Sequence, residues 1–180
     1  QMFLFQPLKK QIRPVESLPI AVNYSKTIHL IFPSAVKYSQ AVTDFVAVDN
    51  PENVPHILRI KANSKSFSKQ TTVSVATEGG FFYSFNVSYA DSLEQTNYFL
   101  PDMRSIAPDT VFINEVSQTH LIAPEKVIYI DYGDTCINVS KAENTENIIR
   151  MIARSGRVQQ FPKQTNVSFA TESGRFFTFN

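Results

Sequence analysis

The feature that most constrains this chain is that it contains itself twice. Residues 69–86 read KQTTVSVATEGGFFYSFN and residues 163–180 read KQTNVSFATESGRFFTFN, identical at twelve of 18 positions. Upstream, HLIFPSAVKY at 29–38 lines up with HLIAPEKVIY at 120–129, an offset of 91 residues (120 minus 29). HILRIKANS at 56–64 keeps that offset against NIIRMIARS at 147–155. The last block is offset by 94 (163 minus 69), so the second copy carries a three-residue insertion before Phe161. Self-similarity at a fixed period is the signature of stacked structural units, so one fold is expected twice over.

Each copy reads as a series of short strands. Ile28, Leu30 and Phe32 alternate with Thr27, His29 and Ile31, the period of two expected of a strand with a buried face. The runs at 57–62 and 148–153 repeat that alternation, and those at 71–76 and 165–170 are rich in Val, Thr and Phe, which suit pleated surfaces. Thr77-Glu78-Gly79-Gly80 and Thr171-Glu172-Ser173-Gly174 then predict hairpin turns. About six strands per copy at spacings of roughly 8–12 residues predict an all-β chain of two tandem β-sandwich modules. The expected layout is an irregular leader at 1–18, a first module at 19–90, a linker at 91–118 and a second module at 119–180. Copy one continues through Val87-Ser88-Tyr89 where copy two stops at Asn180, so the second module is expected to be truncated. A linker of about 28 residues predicts relative motion of the modules unless their interface is large and apolar. On the hairpin arm, Phe85 and Phe179 are expected to face the core, with Phe81 and Val87 sharing that side and Phe82 facing away.

Composition narrows the function classes. Seventeen basic and 16 acidic residues leave a net charge of +1, without the basic excess of a nucleic-acid binder. Five glycines form no phosphate-cradling loop, and a single cysteine forms neither a disulfide framework nor a CxxC knuckle. Fifteen Phe and seven Tyr without Trp suit a β-rich core. Residue 1 is Gln, so the sequence is expected to be a cloned fragment or a processed product, and a signal peptide removed before Gln1 would fit.

The candidate reactive residues are expected to be structural. His29 and His120 occupy the same repeat position, which suits a repeated packing or hydrogen-bonding role more than a unique base. Cys136 lies in an apolar strand and is expected to be buried. Glu78 and Glu172 belong to separate turns and are not placed to share one glycosidic bond. Arg59 and Arg150 are repeat-equivalent and sit between apolar neighbours, on an exposed face or against a partner. Four Asn-x-Ser triplets, beginning at Asn23, Asn86, Asn138 and Asn166, match the glycosylation pattern without carrying weight in so Asn-rich a chain. No catalytic, cofactor-binding or metal residues are predicted.

The stretch SKTIHLIFPSAVKY, the middle ILRIKA and the block KQTTVSVATEGGFFYSFNVSYAD together resemble the TraN family of Bacteroides-type conjugative transposons, from about Ser25 to the C-terminus. The strand-rich pattern is more distantly similar to the β-sandwich subunit of the type IV secretion outer-membrane core complex. The resemblance implies a non-enzymatic subunit of a DNA-transfer machine, periplasmic and associated with the outer membrane. It implies lipoprotein and inner-membrane-anchored partners, a homo-oligomer in the assembled complex, and no direct nucleic-acid contact.

Two rivals stand beside it. A secreted carbohydrate- or surface-binding β-sandwich would display clustered aromatics on one sheet face. An enzyme would need a pocket of convergent polar groups between the modules. The leader is apolar at Phe3, Leu4 and Phe5, and Phe3 and Phe5 are expected to dock on the first module or a neighbouring copy as an added strand.

Overall fold

A computed structural model describes residues 15–156 and 164–180. Phe3 and Phe5 therefore lie outside the described residues. Among the described residues fourteen strands run in order: β1 (Ser17–Val22), β2 (Ile28–Ile31), β3 (Val36–Ala41), β4 (Val46–Asp49), β5 (Ile57–Ala62), β6 (Thr71–Thr77), β7 (Phe82–Tyr89), β8 (Asn97–Phe99), β9 (Thr119–Ile122), β10 (Val127–Tyr132), β11 (Ile137–Lys141), β12 (Ile148–Ala153), β13 (Val167–Thr171) and β14 (Phe176–Phe179).

They form two sandwiches. In the first module, sheet β1-β7-β6-β3 faces sheet β4-β5-β2-β8. In the second, β10-β13-β14 faces β11-β12-β9. Leaving β1 and β8 aside, the two modules share one strand order, with hairpin and crossover connections of an immunoglobulin-like sandwich. In module one β1 runs parallel to β7, and in module two an isolated bridge of the same sense joins Asp109 to Phe179.

The cores follow from the alternation. Leu58, Ile60, Val73, Val75 and Phe85 meet between the sheets of module one, and Val127, Ile149, Met151 and Phe169 between those of module two. Phe85 is fully buried, while Phe82 is turned outward on the other face. Phe179 packs partly buried on the second core. Phe81 departs from the expected parity and is exposed, because it lies in the turn ahead of β7, whose extended alternation starts only at Phe82.

The duplication extends to backbone irregularities. The ladder slips between Val36 and Tyr38 in β3 and between Val127 and Tyr129 in β10, the same repeat position. Asn53 and Asn144, again 91 apart, both take positive φ of 69° and 59°. Gly80 and Gly174 close the two hairpins at φ 85° and 88°, values that only glycine adopts without strain.

The connection at 91–118 is not a free tether. It supplies β8, which runs parallel to β2 through the pairs His29–Asn97 and Ile31–Phe99. It also supplies Val111, whose amide bonds the Asn180 carbonyl.

This packing predicts that Phe85→Ala lowers stability by about 3–5 kcal/mol in urea unfolding. Phe82→Ala on the opposite face of the same strand should change it by no more than about 0.5 kcal/mol.

Candidate functional site

Two strands are buried on both faces, β2 and β13. One face of each belongs to its own core, and the other faces belong to a contact between the modules. There the outer face of sheet β4-β5-β2-β8 lies on the outer face of sheet β10-β13-β14. Ile31, Val54 and Ile57 from module one pack with Tyr129, Ala170 and Phe176 from module two.

His29 sits at the centre with no exposed surface. Its Nε2 lies 2.7 Å from the Tyr129 hydroxyl, and its ring meets Tyr129 edge-on at 5.6 Å and Phe176 at 5.2 Å. Ala170 lies between the two aromatics in the sheet, paired with Tyr129 on one side and Phe176 on the other. The small side chain leaves a seat that the imidazole fills. The seat depends on the bulge. Without the slip, Tyr129 would share the core side of Val127; with it, Tyr129 pairs with Ala170 and points at module one.

Charged groups close the rim. Arg59, the cross-strand partner of His29, reaches Asp131 of module two at 3.1 Å and holds Asp49 through two bonds at 2.5 and 2.7 Å. The Asp131 carboxylate also accepts from the Thr27 side chain and stands 4.0 Å from His29 Nε2. Burial drives the His29 pKa down to about 3, with the nearby Arg59 cation adding to the effect. Burial pushes the Asp131 carboxyl upward, opposed by its bonds to Thr27 and Arg59. Burial raises the Tyr129 hydroxyl as well. His29 is therefore neutral at physiological pH. Its Nδ1 is buried without a partner among the described residues, which favours the tautomer with the proton on Nε2, donated to Tyr129.

A second contact locks the orientation. The Asn166 side chain accepts from the Thr27 amide and donates to the Thr27 carbonyl, both at 2.9 Å and both buried. Thr165 donates to the Ser25 carbonyl, and Lys26 donates to Gln164. Gly133 lies so close that a Cβ there would stand 2.5 Å from the Ser25 oxygen and 2.8 Å from Lys26 Cα.

The residues singled out by sequence separate on this frame. His29 is interior to the joint, whereas its counterpart His120 is exposed, because module two has nothing on its corresponding face among the described residues. Arg59 makes an inter-module ion pair, and Arg150 bonds Ser140 of its own sheet. Cys136 is buried, and Glu78 and Glu172 are exposed turn residues. Asn23 and Asn166, starts of two glycosylation triplets, are buried loop-shaping residues. Tyr129, Asp131 and Gly133 were not singled out, and Asn166 was singled out only as the start of a glycosylation triplet. The signal for three of them was a difference between the copies, since Asp131, Gly133 and Asn166 stand opposite Gln40, Val42 and Thr72.

Elsewhere, an apolar cavity of about 250 Å³ opens beside Val111, Ile113, Met151 and Phe179, and none of its described lining residues is titratable. Among the described residues no group of His, Cys, Asp and Glu could hold a metal ion, and no helix is long and apolar enough to cross a membrane.

Fold and joint together define a tandem immunoglobulin-like β-sandwich protein whose buried polar cluster lies between its modules. The chain belongs to the family described as a domain of unknown function, DUF8473, whose sequence model matches residues 20–93 and 111–180. No curated protein matches it. Among solved structures it is similar to an endo-fucoidan hydrolase of glycoside hydrolase family 107, at 6% identity and a TM-score of 0.28, over 93% of this chain and 32% of that one. It is also similar to SGBP-B of the Bacteroides ovatus mixed-linkage glucan utilization locus, in complex with a mixed-linkage heptasaccharide. That match has 12% identity and a TM-score of 0.23, over 94% of this chain and 45% of that one. The chain thus spans less than half the length of either.

The joint makes stability pH-dependent with a defined sign. Between pH 6.5 and the depressed value of His29, the unfolded chain binds a proton there and the folded chain does not, so stability falls as pH falls. The loss attributable to His29 should be about 1.4 kcal/mol per unit, or about 2 kcal/mol from pH 6.5 to 5. Asp131, shifted upward, contributes with the opposite sign. Urea unfolding of wild type and His29→Gln at pH 7 and 5 isolates the histidine: the gap between them should shrink by that amount at the lower pH. A gap independent of pH would contradict the buried neutral imidazole. Separately, Gly133→Val should split a single calorimetric unfolding transition into two, as the modules lose their lock.

Proposed function

We propose that this chain is a non-enzymatic structural subunit of an exported envelope assembly, of the conjugative DNA-transfer kind that its sequence resembles. The observation that carries the reading is where its polar chemistry lies. His29, Arg59, Tyr129 and Asp131, the groups an enzyme would direct at a substrate, are directed at one another across a joint between modules. They set an angle between two sandwiches, which is what a scaffold requires. In this reading the protein acts in the periplasm at the outer membrane. It binds lipoprotein and inner-membrane-anchored subunits, assembles as a homo-oligomer and does not contact DNA directly.

A second reading is a carbohydrate- or surface-binding protein, and one observation favours it. Tyr38 and Phe82 are 47% and 48% exposed and lie on one sheet face, flanking Ala76. Most other aromatics point inward, as the scaffold reading expects.

The test is an in-frame deletion of the gene in a donor strain, with transfer frequency and co-purification of envelope subunits as readouts. The scaffold reading expects transfer to fall at least a hundredfold and a tagged copy to bring down other envelope subunits. Unchanged transfer, together with polysaccharide retardation in affinity gels that Phe82→Ala abolishes, would support the second reading instead.

A further inference from the structure

We infer that the chain joins to further copies of itself head to tail, each new contact repeating the joint already present between its own modules. The inference rests on the scaffold reading but on no conjugation partner.

The internal joint has two sides, and each side exists twice. The docking side in module one is built from His29 and Ile31 on β2 with Arg59 and Ile57 opposite them on β5. In module two the same positions are His120 and Ile122 on β9, with Arg150 and Ile148 opposite them on β12. All four residue types are identical. The receiving side in module two is the row Tyr129-Ala170-Phe176 across β10, β13 and β14. In module one it is the row Tyr38-Ala76-Phe82 across β3, β6 and β7, identical again and set outward by the same bulge.

Among the described residues nothing covers either spare surface. Ile122 is 74% exposed, His120 and Arg150 are exposed, and Tyr38 and Phe82 are each about half exposed. Drift between the copies has changed none of these seven residues, although the two hairpins differ at six of 18 aligned positions. A surface histidine, isoleucine and arginine on a solvated face have no reason to match a buried triad residue for residue. A copy of the chain presents both halves, so the free docking face of one copy fits the free seat of the next. Such a contact joins different surfaces, is heterologous, and builds a ring if the rotation closes and a filament if it does not.

The lock residues show that the contact is the weaker of the two. Gly133 becomes Val42, Asn166 becomes Thr72 and Asp131 becomes Gln40, so the close loop approach and the amide clasp are lost while the aromatic seat remains. Association is therefore concentration-dependent, as suits a subunit that assembles only where it is gathered.

Sedimentation velocity on the full chain, from micromolar to millimolar, tests this with two surface variants, Ile122→Asp on the docking face and Phe82→Asp on the seat. Wild type should grow in average mass with concentration. Each variant alone should stay at the 20.4 kDa monomer. Mixed in equal amounts they should form dimers, because the docking face of the Phe82 variant and the seat of the Ile122 variant are both intact. A wild type that stays monomeric, a variant that still grows, or a mixture that stays monomeric overturns the inference. So does a seat that retains glucan or fucoidan in a Phe82-dependent way while the chain remains monomeric. Monomeric wild type that still co-purifies with envelope subunits would overturn head-to-tail joining alone and leave the scaffold reading in place.

Discussion

A neutral histidine with no exposed surface, held edge-on by one aromatic ring and face-tilted against another, is the interaction on which the two-module arrangement turns. Burying an imidazole costs free energy unless it is bonded, and here Tyr129 supplies the bond while Phe176 and Ala170 supply the fit. The surrounding isoleucines add apolar area, which gives the contact its strength. The polar members give it one register, because only one placement pairs Arg59 with Asp131 and His29 with Tyr129 together. This apolar and polar contact opposes the relative motion expected of modules on a long connection. The connection itself is consumed as β8 and as the edge along β14.

The same contact explains why duplicated residues have unequal fates. His29 and His120 begin as the same residue on the same strand, but only His29 meets a neighbour. Its environment, not its identity, moves its pKa out of the physiological range. Arg59 likewise becomes part of a joint while Arg150 bonds a serine in its own sheet. Specialisation of the copies is concentrated in a few positions that decide how close two loops approach: a glycine where a Cβ would collide, and an asparagine whose amide matches one peptide group.

Repetition of an interface also bears on function. A chain that has solved one sandwich-to-sandwich contact internally, and still displays both halves of it, is suited to building outward by the same geometry. In the head-to-tail joining proposed above, the exposed Tyr38 and Phe82 are the seat for a second copy.

The amino-acid sequence by itself determined the all-β class, the two modules and the strands that repeat between them, whereas β8 fell in the stretch read as a linker. Those rest on local alternation, turn chemistry and a repeat, all of which are readable along the chain. It also determined that Phe85 would be core and Phe82 would not, since parity along a strand is a local property. It did not reveal that Tyr129 would leave its core, because a one-residue bulge reverses parity and nothing in the order Val127-Ile128-Tyr129 announces one. Nor did it reveal which histidine would be buried, because that depends on which sheet face another module covers. Tertiary structure decided both, by bringing residues about one hundred positions apart into a contact whose partners are chosen by shape and hydrogen bonding rather than by spacing.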